Sequence, residues 1–178
     1  MADRATSRWT FQALFVALVA AVLFAQLLPL DLQPGRLPGP DILVLLAFSW
    51  VVMRPDYVPV ALLAVVFFVA DILMMRPLGL WTALVVIGAE FLRIRSVALR
   101  DVSIFAEWAL VGAVITAMFV VNALVLALFA VVQPGPGLTV IRLGATILAY
   151  PLVVILAGRA FGLRKIAPGE VDRLGHRQ

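Results

Sequence analysis

Cysteine is absent from this chain, histidine occurs once, and charged residues make up only 13% of its 178 positions. Without cysteine there is no disulfide, no thiolate metal site and no thiol nucleophile. The one histidine, His176, sits in a charged C-terminal stretch and offers no catalytic dyad. Also missing are H-E-x-x-H, a Walker lysine motif, G-x-S-x-G and the clustered aspartates of a lipid phosphotransferase. The sequence therefore argues against an enzyme, and neither a metal nor a cofactor is expected. The shortage of charge excludes something broader. Hydrophobic residues reach 64%, where soluble domains carry roughly 45–50% apolar and about 25% charged residues. A soluble chain of ~150 residues buries only about 70% of its unfolded surface, too little to hide this much hydrocarbon. The bilayer is the expected solvent. The net charge of +4 then fits cytoplasmic loops meeting anionic lipid. No stretch alternates basic and aromatic residues, so nucleic acid is not an expected partner.

What is present is a series of apolar runs broken by Pro, Gly and charge. The breaks fall at Pro34–Pro40, Arg54-Pro55-Asp56, Arg76-Pro77, Arg93–Asp101 and Gln133–Gly137. Proline removes an amide donor and glycine loosens the backbone, so these clusters end helices. Six spans are predicted, over 10–30, 41–53, 56–75, 77–92, 104–132 and 138–160, in one integral membrane domain covering 1–178. The fold class is an all-α, polytopic membrane helix bundle. The first run follows Arg4 and Arg8 and lasts about 20 residues without a convincing small-x-small site, which suits a spanning helix over a cleaved signal core. With both termini in the cytoplasm, eleven of the fourteen Lys and Arg residues lie inside and only Arg36, Arg76 and Arg142 outside, a positive-inside pattern. The second run, Ile42–Met53, gives only ~18 Å of helix against a core of ~30 Å. A five-crossing arrangement with the N-terminus outside separates the charges almost as well. Six crossings are favoured because Trp50, Arg54 and Tyr57 group as an interfacial belt does. Trp9 and Trp108 are expected at the same cytoplasmic belt and Trp81 at the outer one.

Several positions stand out against the hydrocarbon. Asp71 lies near the outer end of the third span, where a carboxylate is costly. It either contacts a ligand, proton or partner helix, or it staples the Met74–Gly79 turn or pairs with Arg76. Gly79 either serves that turn or, with Ala83, allows close backbone contact. Ala13, Ala17, Ala21 and Ala25 recur every fourth residue in the first span, and Ala109, Ala113 and Ala117 do so in the fifth. Small residues at this spacing let helices approach closely in lipid. Such stripes serve internal packing if they face inward and docking if they face outward. Beyond Glu90, the residues Arg93, Ser96, Arg100, Ser103 and Glu107 share a helical face, which predicts an amphipathic interfacial helix lying on headgroups or receiving a cytoplasmic partner. Pro151 leaves the Ile147 carbonyl without its usual donor, so a kink is expected there.

Taken in order, Pro40-Asp41-Ile42-Leu43, Arg54-Pro55, Asp71 and Pro77-Leu78-Gly79-Leu80 resemble the MreD family of rod shape-determining membrane proteins. The likeness covers most of the chain. The family's G-L-x-x-D pattern is replaced here by Phe68-Val69-Ala70-Asp71. The resemblance implies a non-enzymatic component of the machinery that builds the lateral peptidoglycan wall and sets cell shape, in the bacterial inner membrane. Its implied partners are MreC and, directly or indirectly, MreB, RodA and a penicillin-binding transpeptidase. The family is similar in fold to the substrate-binding S-components of energy-coupling-factor vitamin transporters, whose A-x-x-x-A pattern Ala13, Ala17 and Ala21 echo. A scaffold and a vitamin-binding transporter subunit are thus the two functional expectations. The short outer loops leave little chain to cap a vitamin and favour the scaffold.

Overall fold

The twelve residues Ile42–Met53, apolar but for Ser49, whose hydroxyl donates to the Leu46 carbonyl, find their explanation in position: they form the axis of a helical bundle. In the computed structural model, residues 2–28, 38–96, 98, 103–131, 133 and 135–161 are described. They form helices α1 (Ala2–Leu27), α2 (Ile42–Met53), α3 (Val60–Leu73), α4 (Leu80–Arg95), α5 (Ile104–Leu128) and α6 (Pro136–Phe161), with a 3-10 turn at Pro55–Tyr57 between α2 and α3. No strand occurs among the described residues. The all-α bundle of six helices is the expected class.

Every residue of α2 from Leu43 to Met53 is buried, because α1, α4 and α6 all pack against it. A helix that is apolar all round belongs inside a protein. Its length is set by the core it fills. The segments Arg8–Leu27, Ile104–Leu128 and Pro136–Arg159, in α1, α5 and α6, are long and apolar enough to cross a membrane, whereas α2 and α3 are shorter apolar helices. Around the axis, α3 and α4 form a hairpin, and α5 lies against both α4 and α6. Asp41 before α2 meets Arg76 after α3 and Arg142 near the start of α6. At the opposite end, Arg93 near the end of α4 meets the turn between α2 and α3. Successive helices from α2 to α4 therefore run up and down.

Helix ends differ from the sequence expectations where local chemistry intervenes. The third helix starts at Val60 because Pro55–Tyr57 takes a 3-10 turn and Pro59 is extended. It stops at Leu73 because Met75 turns left-handed at φ 51° and the Arg76 amide reaches back to the Asp71 carbonyl at 3.0 Å, a Schellman-type closure. Ala130 ends α5 the same way, with φ 51° and the Val131 amide on the Leu126 carbonyl. Pro136 opens α6, a first-turn position at which its missing N–H costs nothing.

The aromatic belt needs a correction. Trp9 is exposed as expected, but Trp50 is fully buried, its ring 5.4 Å from Phe15, and Trp81 is buried edge-on against Phe119 at 5.2 Å. Trp50 lies on the axial helix α2 itself and Trp81 on a buried face of α4, which packs against it, so packing claims the rings that headgroups were expected to hold. Tyr57 stacks on Phe11 at 4.5 Å and pins the 3-10 turn to α1. The carbonyl that Pro151 orphans finds a substitute donor. α6 continues through Pro151, and the indole N–H of Trp108 on α5 donates to the orphaned Ile147 carbonyl at 2.8 Å.

Candidate functional site

The functional groups gather where α3 hands over to α4. Gly79 holds φ 80°, a left-handed conformation open to glycine at little cost, and a Cβ there would meet nothing within 4 Å. Close helix contact through Gly79 is thus not what the residue does; Ala83 is exposed, and the glycine serves the turn. The true close approach is at Gly88, where a Cβ would come to 2.9 Å from the Phe48 ring and 3.0 Å from the Met118 sulfur.

Glycine brings no side chain to cap α4, so another residue supplies it. Oδ2 of the fully buried Asp71 accepts from the Gly79 amide at 3.2 Å, the Thr82 amide at 3.2 Å and the Thr82 hydroxyl at 2.7 Å. Two of the otherwise unpaired donors at a helix start are thereby satisfied, and a carboxylate stands at the positive end of the helix dipole. This is the stapling role among those open for Asp71. Its Oδ1 has no hydrogen-bond partner among the described residues.

Beside this staple lies a three-element ion cluster. Asp41 is 1% exposed. Its Oδ1 accepts from the Val44 amide and caps α2, while Oδ2 accepts from Arg142 at 2.8 Å and lies 3.7 Å from Arg76. The Asp41 amide donates to the Thr146 hydroxyl at 3.0 Å, and that hydroxyl donates to the Arg142 carbonyl at 2.7 Å. Asp41 thus ties α2 to α6 through both backbone and side chain. Arg76 also lies over the Trp81 ring, 5.6 Å from its centroid. Burial pulls the Arg76 guanidinium below its ordinary pKa; Asp41 and Asp71 oppose that shift and Arg142 adds to it. A cavity of about 280 Å³ opens next to the cluster, lined in part by Arg76, Arg142, Trp81, Asn122 and Gln133.

The other anticipated residues have distinct placements. Arg93 holds Glu90 at 2.7 Å and donates to the Pro55 carbonyl and, at 2.5 Å, to the Val58 carbonyl. It clamps α4 to the 3-10 turn. Arg100 lies outside the described residues, as do Val97, Leu99, Asp101 and Val102. Of the rest of the expected amphipathic face, Ser96 and Glu107 are buried and Ser103 caps α5, because α4 ends at Arg95 and α5 begins at Ile104, so these residues do not share one exposed helical face. Ala13, Ala17, Ala21 and Ala25 are all exposed, with Phe15, Val19 and Leu23 forming the buried face of α1. Ala109, Ala113 and Ala117 are exposed on α5. Ala113 and Ala117 line an apolar groove of about 330 Å³ between α4 and α5.

Sequence reading did not single out Asp41, Thr82 and Arg142 as site residues. Signals for two of them exist. An aspartate immediately before an apolar run is an N-cap, and an arginine inside a predicted span calls for a partner. What no local pattern supplies is that they pair with each other. Comparison with protein families, characterised proteins and solved structures returned no match for this chain.

Proposed function

We propose that the chain is a non-enzymatic, multi-pass scaffold of the bacterial inner membrane, serving the cell-wall elongation complex in the manner of the MreD family. The observation that carries this reading is the direction of the α1 alanines. Ala13, Ala17, Ala21 and Ala25 face outward along one helix whose opposite face is already committed to the core. In lipid, helices associate through close van der Waals packing, and small residues on an outward face permit it. The α4–α5 groove with Ala113 and Ala117 offers a second such surface. Meanwhile Asp71 and Arg93, which had competing roles as ligand or partner contacts, are engaged by the fold itself. The order of motifs shared with MreD points to MreC as the direct partner, and to MreB, RodA and a penicillin-binding transpeptidase as direct or indirect ones.

The test is co-purification from native membranes. Replacing Ala17 and Ala21 together by leucine widens the outward face without touching the core. MreC is expected to be lost from the purified complex while the thermal denaturation of the chain stays unchanged. Retention of MreC at wild-type level removes α1 as the docking face. A vitamin panel is expected to leave the melting temperature where it was; a saturable rise with one vitamin moves the chain to the transporter-subunit class.

A further inference from the structure

We propose that the cavity beside Asp41 is a binding site for a phosphate-ester anion, carried on a lipid headgroup or free in solution. This goes beyond the scaffold reading and uses none of its docking residues. The charge arrangement is the starting point. Two guanidiniums, from Arg76 and Arg142, converge on one carboxylate oxygen, Asp41 Oδ2, at 3.7 and 2.8 Å. Each guanidinium carries five N–H donors in a planar fork, and a single shared oxygen engages few of them. The forks suit the tetrahedrally disposed oxygens of a phosphate better than a lone carboxylate. Asp41 and Asp71 match the two guanidiniums in number, but neither carboxylate lines the cavity as the two arginines do, and the other oxygen of Asp41 is turned to the start of α2. The second nearby carboxylate, Asp71, is occupied by the hairpin through Oδ2. Arg76 remains a guanidinium whose burial outweighs the acids around it, and a further anion relieves that imbalance.

A second, independent observation comes from Trp81. It lines the same cavity, is 6% exposed, and its indole N–H has no acceptor among the described residues. Buried donors without acceptors are uncommon, and an anionic oxygen in the cavity supplies one. Asn122, Gln133 and Thr139 add uncharged polar lining, and Phe119, Leu126 and Leu138 make the rest apolar. The volume of about 280 Å³ is below the usual range for drug-sized ligands, ~300–1,000 Å³, and matches a headgroup. Leu138 is itself exposed, so a hydrocarbon chain has an apolar way out.

The experiment is thermal denaturation of the purified full chain in a nonionic detergent, titrated separately with phosphatidylglycerol, glycerol phosphate, inorganic phosphate and diacylglycerol. Phosphatidylglycerol is expected to raise the melting temperature saturably, and diacylglycerol to leave it unchanged. Arg142→Gln removes a charge-assisted donor and is expected to raise the half-saturating concentration about tenfold or more. Because Arg142 also holds Asp41, a second variant is needed. Ala123→Phe fills the cavity, leaves every Asp41 contact in place, and is expected to weaken the response equally. If glycerol phosphate or inorganic phosphate matches phosphatidylglycerol, the ligand is a free phosphate; if only phosphatidylglycerol acts, it is a lipid. Diacylglycerol stabilising as well as phosphatidylglycerol, no response to any phosphate, or wild-type half-saturation in Ala123→Phe each overturns the assignment.

Discussion

Replacing Asp71 separates a structural carboxylate from one that works by its charge. Its Oδ2 accepts from the Gly79 amide, the Thr82 amide and the Thr82 hydroxyl. Leucine accepts nothing, so all three donors lose their partner. A buried donor left unpaired costs ~1–3 kcal/mol, and a lost N-cap ~0.5–2 kcal/mol. Thr82 is buried while the Gly79 bond is only partly so; counting the first in full and the second in part gives about 2–5 kcal/mol. Domain stabilities are ~5–15 kcal/mol, so Asp71→Leu is expected to lower the membrane level of the protein and its melting temperature clearly. Asparagine retains one carbonyl oxygen in the Oδ2 position. It loses the charge assistance, about 1 kcal/mol, and sets its NH2 where Oδ1 has no partner among the described residues, so its loss is smaller than leucine's but not zero. Asp71→Asn is expected to fold and, on the proposed scaffold reading, to keep its partners. Both variants are read by melting temperature in detergent and by abundance in the membrane fraction. The capping account is refuted if Asp71→Leu melts with the wild type, or if Asp71→Asn is normally abundant and stable yet abolishes cell elongation.

Further expectations follow from single contacts. Gly88→Ala places a methyl 2.9 Å from the Phe48 ring, an overpacking worth ~1–3 kcal/mol; the added change Phe48→Leu should recover part of the lost melting temperature, and no recovery means the strain lies elsewhere. Trp108→Phe deprives the Ile147 carbonyl of its substitute donor, with a loss of ~1–3 kcal/mol. Pro151→Ala restores a backbone N–H four residues on, so the double variant should melt above Trp108→Phe alone, and equal melting contradicts the substitution. Asp41→Leu leaves Arg76 and Arg142 side by side without their carboxylate and uncaps α2. It should cost more than Arg142→Gln, but because the Arg76 and Arg142 side chains keep 21% and 36% solvent exposure the loss stays at about 1–3 kcal/mol; a loss no larger than that of Arg142→Gln in paired melting curves would refute the tie.

Sequence separation decided what could be read in advance. The Asp71 staple joins residues 8 and 11 positions apart across one turn, within the reach of a local argument, and the turn was legible from Pro77 and Gly79. The orphaned Ile147 carbonyl was legible because proline's missing N–H acts four residues away. Its donor, Trp108, was not, being 39 residues distant on another helix. The Asp41–Arg142 pair, 101 residues apart, depends entirely on how α2 and α6 pack. Trp50 was misplaced for a related reason. A tryptophan at the end of an apolar run fits either headgroups or a protein interior, and the choice rests on α2 being surrounded. The apolar character of Ile42–Met53 on every face, interrupted only by Ser49, was itself the clue, since a helix that is apolar all round belongs inside a protein or a membrane.

The cost of the charged end bears on why it exists. Desolvating a carboxylate and two guanidiniums is expensive, and apolar residues often seal such a junction as well or better. Asp71 and Arg93 justify their charge by closing turns through backbone partners. The Asp41 cluster does more than close a turn. Among the described residues, these are the only ion pairs that join different elements of the bundle, since the Arg93–Glu90 pair lies within α4. It also borders a cavity that contains a buried donor without an acceptor. Charges held in that setting are characteristic of recognition sites within membrane proteins. The outward alanines of α1 and the groove between α4 and α5 share no residue with the lining of this cavity. Docking and anion binding are therefore separable by mutation. A variant at Ala17 should leave the phosphate response intact, and one at Ala123 should leave partner capture intact.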